Sequence, residues 1–191
     1  AVALAYDDGL LNLDDPILKF FPEYAADAND YLKACTIRNM ITMRNGQQRS
    51  IGGNEWRPLK SSWKEAYFQV PFDKRPGETF MYSSGNSYIL SYIVQKLEGK
   101  TCRELVQERV GKEIGLTDFS WMLSPEGVCS GGNGVSLTTE DMLRIGLLYL
   151  NKGKWNGKQL ISENWMNHAM GYVDSIDPID GTQYNYHWEH V

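Results

Sequence analysis

A chain of 191 residues, 42% hydrophobic and 23% charged, carries enough apolar material for one full core, which excludes a disordered or low-complexity polypeptide. Lys plus Arg is 19 and Asp plus Glu is 24; a formal net charge of −5 without any basic run gives no reason to expect nucleic acid or an anionic membrane as partner. The apolar runs are too short to span a bilayer, and Cys35, Cys102 and Cys129 have neither the count nor the spacing of a disulfide framework or a zinc site. Cys35 and Cys102 lie beside apolar-periodic segments and read as small buried hydrophobes.

The first residues, Ala1 to Asp8, read as the last turns of a helix stopped by Gly9. Asp14, Asp15 and Pro16 force a turn, and Ile17 to Phe21 forms a short helix ended by Pro22. Thr36 caps a helix carrying Ile37, Met40 and Ile41, with Gly46 beyond its end. Gln47 to Asn54 is a polar loop, Trp63 to Phe68 a brief helix, and Pro71 to Gly77 a turn-rich connector. From Ser84 onward, Ile89, Leu90, Ile93, Val94 and Leu97 recur at helical spacing, and Gly99 closes that helix. Thr101 with Glu104 makes a capping box for a helix carrying Leu105, Val106 and Val110. Gly115 to Asp118 is a turn and Gly131 to Gly134 a glycine-rich loop. Thr138 and Asp141 form a second box-like pair before a helix carrying Met142 to Leu150, with Gly153 past its end. Trp155-Asn156-Gly157-Lys158 is a tight turn, Ser162 to Met170 a final helix, Asp174 to Thr182 a loop, and Tyr184 to Val191 a strand. Both ends look cut: there is no initiator Met or signal-peptide grammar at Ala1, and the last strand simply stops.

The stretch Pro76 to Ser87 carries the most chemistry. Tyr82 and a cluster of serines open a long helix, where backbone N–H groups lack partners and the dipole favours negative charge. A phenolate or a carbonyl oxygen would be held there; the plain alternative is an N-cap with a core tyrosine. Other motifs exclude themselves. The Gly131 loop lacks the GxxxxGK[ST] spacing of a phosphate loop, and its glycines instead suit unusual angles or close backbone approach. His168, His187 and His190 form no HExxH pattern, so no metal is expected. No GxSxG elbow is present, and Asp14-Asp15 beside a proline is turn chemistry rather than a glycosidase pair.

Four segments in order resemble the serine beta-lactamase and penicillin-binding-protein-like hydrolases, especially their class C-like esterase and D-amino-acid peptidase branch. Asp8 to Pro16 is similar to the segment after the nucleophile helix, and Thr36 to Gly46 to the "T-I-R-x-L-L-T-x-x-S-G" segment. Pro76 to Ser84 is similar to "P-G-x-x-F-x-Y-S-N", and Gly131-Gly132 with Ser136, Thr138 and Asp141 to "G-G-x-x-S-T-x-x-D". The resemblance implies an α+β fold: the mostly helical portion of a beta-lactamase/transpeptidase-like domain, with edge pieces of an incomplete antiparallel sheet. Residues 1–191 would be a single partial domain. It also implies Tyr82 as the catalytic proton shuttle and Ser84 as a substrate-binding residue at the position of the family's asparagine. Serine there has a shorter reach and no N–H₂ pair, which points toward esters and amides rather than beta-lactams.

The family's Ser-x-x-Lys nucleophile motif is expected upstream of Ala1, and its Lys-Thr-Gly or His-x-Gly motif beyond Val191. Ser61-Ser62-Trp63-Lys64 matches the first spacing but sits in the wrong segment. A phenol of ordinary pKa, about 10, is a poor base at neutral pH, and a lysine ammonium plus a helix N-terminus would each favour phenolate. The implied activity is cleavage of a small ester, amide or peptide through an acyl-serine, without metal or organic cofactor. These 191 residues alone are expected to be inactive. The alternatives are a non-hydrolytic penicillin-recognising sensor or pseudoenzyme, and a structural helical domain with Tyr82 in its core.

Overall fold

The computed structural model describes residues 1–117 and 119–171 in full, with the backbone of 183–185 and 188–190. The chain is α+β, and among the described residues helices dominate while strands occur as two-stranded antiparallel pairs. The centre is α5 (Ser84–Glu98), packed against α1 (Val2–Asp7), α3 (Ile37–Ile41) and α6 (Cys102–Val106). Its 3.6-residue stripe buries Ile89, Leu90, Ile93 and Val94, each worth about 1.5–3 kcal/mol over exposure. Gly99, at φ 68, ends it in the left-handed region that glycine enters without penalty.

Local capping chemistry sets most helix starts. Thr36 and Asn39 form a complete capping box on α3, and Thr101 and Glu104 another on α6. Ser62 Oγ accepts from Glu65 N (3.1 Å) to open α4 (Trp63–Phe68). The helix begun by α6 runs through a π turn (Gln107–Gly111) into α7 (Lys112–Ile114). Thr138 Oγ1 accepts from Asp141 N (3.0 Å) at the start of α8 (Thr139–Leu150), and Ser162 caps α9 (Glu163–Met170).

Several expectations need correction. Thr138 and Asp141 make only half a box, because Asp141 Oδ1 takes Arg144 Nη1 instead (3.1 Å). Pro22 opens a second 3₁₀ turn (Pro22–Tyr24) after the one at Ile17–Lys19, its fixed φ suiting a first helical position. The helix α2 (Asp30–Ala34), capped by Asn29, was not anticipated. The terminal segment is not one strand but a pair, β5 (Gln183–Asn185) against β6 (Trp188–His190). The loop expected over 174–182 lies outside the described residues. The strands β1 (Ser120–Trp121) and β2 (Val135–Ser136) pair across the glycine-rich loop, and β3 (Lys154–Trp155) and β4 (Lys158–Gln159) flank the tight turn at Asn156 and Gly157. All three cysteines are buried and free.

One half-buried contact makes stability pH-dependent. Burial alone would raise the Glu126 pKa, but Ser62 Oγ (2.6 Å) and Lys64 N (3.1 Å) donate to its Oε1, and the net effect is a lowered value. Stability from this group is therefore complete above the unfolded carboxyl pKa, about 4.3, and is lost as pH falls through the lower folded value. Acid unfolding monitored by circular dichroism should show a shallower loss of stability below pH ~4 in Glu126→Gln than in the parent. Identical acid limbs would contradict this.

Candidate active site at the start of helix α5

Tyr82 lies just before Ser83, the N-cap residue of α5, and is 47% exposed. It is therefore no core tyrosine. The serines do not cap as their type suggests. Ser83 is buried, and its Oγ donates to Ile51 O (3.1 Å) and accepts from Ile51 N (3.3 Å), leaving no side-chain cap. Ser84 is the first helical residue and half-buried. The N–H groups expected to await a ligand are partly spent: Gly85 N donates to Ile51 O (2.9 Å) and Asn86 N to Ser83 O (3.1 Å). The dipole of a 15-residue helix still favours negative charge beside Tyr82.

Glycines let other segments close on this point. Gly52, at φ 136, would place a Cβ 2.9 Å from Ser84 Cβ, and Gly132 would place one 3.1 Å away. At Gly131 (φ 71) a Cβ would run into the Ser87 carbonyl oxygen, far inside van der Waals contact. The glycine-rich loop does serve close backbone approach, and its target is α5 rather than the helix that follows it. Ser84 is thus held between two glycine segments, beside a small cavity also lined by Trp56, Arg57, Trp63, Met122 and Asn133. Tyr82 thus precedes a helix start at which Ser84, the loop at Ile51–Gly53 and Trp56 come together.

Trp121 lines a different cavity of about 370 Å³ with Leu4, Val110, Phe119, Leu148 and Ile161. Apolar pockets are the usual first guess for a ligand site, but Tyr82 and Ser84 do not line this one, and its walls are almost wholly aliphatic and aromatic. In the Ser61–Lys64 match Ser61 is exposed, and the structural roles fall to its neighbour and to the lysine. Ser62 caps α4, while Lys64 Nζ pairs with Glu23 (3.0 Å) and lies over the rings of Tyr24 and Tyr92. Among the described residues no cluster of His, Cys, Asp and Glu is arranged to hold a metal.

Residues that the sequence did not flag are Met43, which binds the backbone on both sides of Tyr82, and Asn86 and Tyr67, of which Asn86 is hydrogen-bonded to Met43 and Tyr67 to Asn86. A signal existed for Asn86 alone: it is a polar residue three before Ile89 on the apolar stripe of α5, and it is fully buried.

Comparison with known proteins agrees with this architecture. A family model described as Beta-lactamase matches residues 1–189. The 6-aminohexanoate-dimer hydrolase of Paenarthrobacter ureafaciens is 22% identical over 190 residues, covering 88% of this chain and 47% of that protein. Among solved structures, the "Putative 6-aminohexanoate-dimer hydrolase from Bacillus anthracis" superposes with a TM-score of 0.81 at 19% identity, over 98% of this chain and 54% of its own. The penicillin binding protein from Bacillus halodurans gives 0.70 at 17% identity, over 97% and 64%. The chain spans only 47% to 64% of the length of these relatives. The fold, the order of the four segments and the match across residues 1–189 make this chain a member of the Beta-lactamase family of serine hydrolases.

Proposed function

We propose that the protein carrying this chain cleaves a small ester, amide or peptide through an acyl-serine intermediate, with Tyr82 as the proton shuttle. The observation that carries this reading is an exposed phenol at the N-terminus of the long central helix, in a chain whose family is built for acyl transfer. The nucleophilic serine Oγ attacks the carbonyl carbon, and the Tyr82 phenolate takes its proton. As the tetrahedral intermediate collapses, Tyr82 returns that proton to the leaving alcohol or amine. Water then attacks the acyl-serine, releases the acid and regenerates the hydroxyl. Relatives named as hydrolases of an aminohexanoate dimer and as carboxypeptidases support an amide or peptide bond as target. Ser84, at the position of the family's asparagine, would contact the substrate with a single hydroxyl.

The nucleophile and its lysine are proposed to come from outside these 191 residues, since the lysine of the one Ser-x-x-Lys spacing here, Lys64, is already paired with Glu23. The isolated 191-residue chain should then stay unlabelled by a fluorescent fluorophosphonate or penicillin, while the intact protein is labelled on a serine elsewhere. A label mapped to Ser61, or to any serine of this chain, refutes the assignment. Ser84 also favours a second reading, a penicillin-recognising sensor: in that case the intact protein is acylated once and the adduct does not turn over.

A further inference from the structure

Tyr82 is half-exposed, so its backbone has to be fixed from below. The residue that does this is Met43. Met43 O accepts from Met81 N (2.8 Å) and Met43 Sδ from Ser83 N (3.5 Å), so one residue receives the N–H groups on both sides of Tyr82. Met43 is fully buried and has φ 57. Among the described residues the other non-glycine residues at positive φ are Lys152 and Asn156, both exposed in turns. A buried left-handed methionine is a strained conformation that persists only where its surroundings over-determine it.

The surroundings do so through a buried polar knot. Tyr67 Oη donates to Asn86 Oδ1 (3.0 Å) and accepts from Asn45 Nδ2 (2.9 Å), which also donates to Gln47 Oε1 (2.8 Å). Gln47 Nε2 closes the ring on Tyr67 O (2.9 Å). Asn86 Nδ2 then reaches Met40 O (3.4 Å) and Met43 Sδ (3.5 Å). Asn45, Gln47, Tyr67 and Asn86 are each at most 1% exposed. Burial raises the Tyr67 pKa well above its usual value, so this hydroxyl keeps its proton and remains a donor at any working pH. An apolar core would fill the same space without desolvating four polar side chains. What the knot adds is a fixed direction for Met43, and through it for the segment 81–83.

We propose that Met43 is a positioning residue for Tyr82, held in its left-handed conformation by the Tyr67–Asn86–Asn45 knot so that the phenol meets the reacting atoms in one orientation. This rests on the catalytic reading of Tyr82. The test uses the intact protein. Met43→Leu keeps the volume and removes the sulfur acceptor of Ser83 N and Asn86; Tyr67→Phe keeps the ring and removes the hydroxyl. Each should lower kcat about tenfold or more, with KM within about twofold, and each effect should vanish in a Tyr82→Phe background. A merely structural role would give the same fold-loss in both backgrounds, which overturns the proposal.

A second readout separates this claim from the reading beneath it. With 3-fluorotyrosine incorporated, the Tyr82 resonance is the ¹⁹F line that Tyr82→Phe removes. It should be a single line in the parent and should shift or split in Met43→Leu and in Tyr67→Phe. An unmoved line in both overturns the positioning claim whatever the kinetics. If Tyr82→Phe leaves turnover intact, the catalytic reading falls, and the fluorine line alone then decides whether Met43 sets the place of Tyr82.

Discussion

In the intact protein, Tyr82→Phe should lower kcat/KM for its best ester or amide substrate by about 10²–10⁴-fold, the range for loss of a positioned general acid–base group. Its melting temperature should stay within about 2 °C of the parent. The two halves of this expectation have separate causes. The ring is 47% exposed, so removing one oxygen opens no cavity, and the backbone on either side remains bound to Met43. The proton, by contrast, has to leave the nucleophile and reach the leaving group, and phenylalanine can do neither. Because the shuttle acts only as charge moves, the loss should fall on kcat more than on KM. Parallel thermal melts and turnover assays with a panel of short-chain esters, beta-lactams and D-alanyl peptides measure both halves. Unchanged turnover would remove Tyr82 from the mechanism.

Gly131→Ala should destabilise the protein by about 3 kcal/mol or more, a size reserved for specific structural faults. Two costs add. The residue sits at φ 71, which disfavours any side chain by about 1–2 kcal/mol, and the new Cβ would collide with the Ser87 carbonyl oxygen and lie 2.9 Å from Tyr88 N. Those are backbone atoms within α5 and cannot rotate away. Gly157→Ala is the matched control: φ is 82, but nothing lies within 4 Å of its Cβ, so only the conformational cost of about 1 kcal/mol applies. For a chain of this size the first change should lower the melting temperature by roughly 6–12 °C and the second by roughly 2–4 °C. Equal shifts would show that the glycine loop does not press on α5 as described.

Features set within one helical turn were legible in the sequence. The stripe from Ile89 to Leu97, the Thr101–Glu104 box, the short helix over Trp63–Phe68 and the Asn156–Gly157 turn each depend on neighbours within about four residues. Where spacing was ambiguous it misled. Thr138 and Asp141 share the spacing of Thr101 and Glu104, but aspartate is one methylene shorter and Arg144 offers it a charged partner. The site divides the same way. Tyr82 and Ser84 came from a motif that resembles a known family. Their surroundings meet across long separations: Met43 and Ile51 reach residues 81 and 83 across 32 to 40 positions, Tyr67 reaches Asn86 across 19 and Gly131 reaches Ser87 across 44, and no local pattern announces such meetings. The same limit hid the pairing of Trp121 with Val135, which joins strands on either side of the glycine-rich loop.

The central claim is that Tyr82 moves the proton during formation of an acyl-serine, and rapid-quench mass spectrometry of the intact protein tests it most directly. Mixing with a chromogenic ester should produce a covalent acyl adduct approaching one per chain, on a serine outside residues 1–191. In Tyr82→Phe the adduct should form at least about a hundredfold more slowly on the same serine. An adduct that forms equally fast in both proteins, or no adduct under conditions of turnover, would contradict the account.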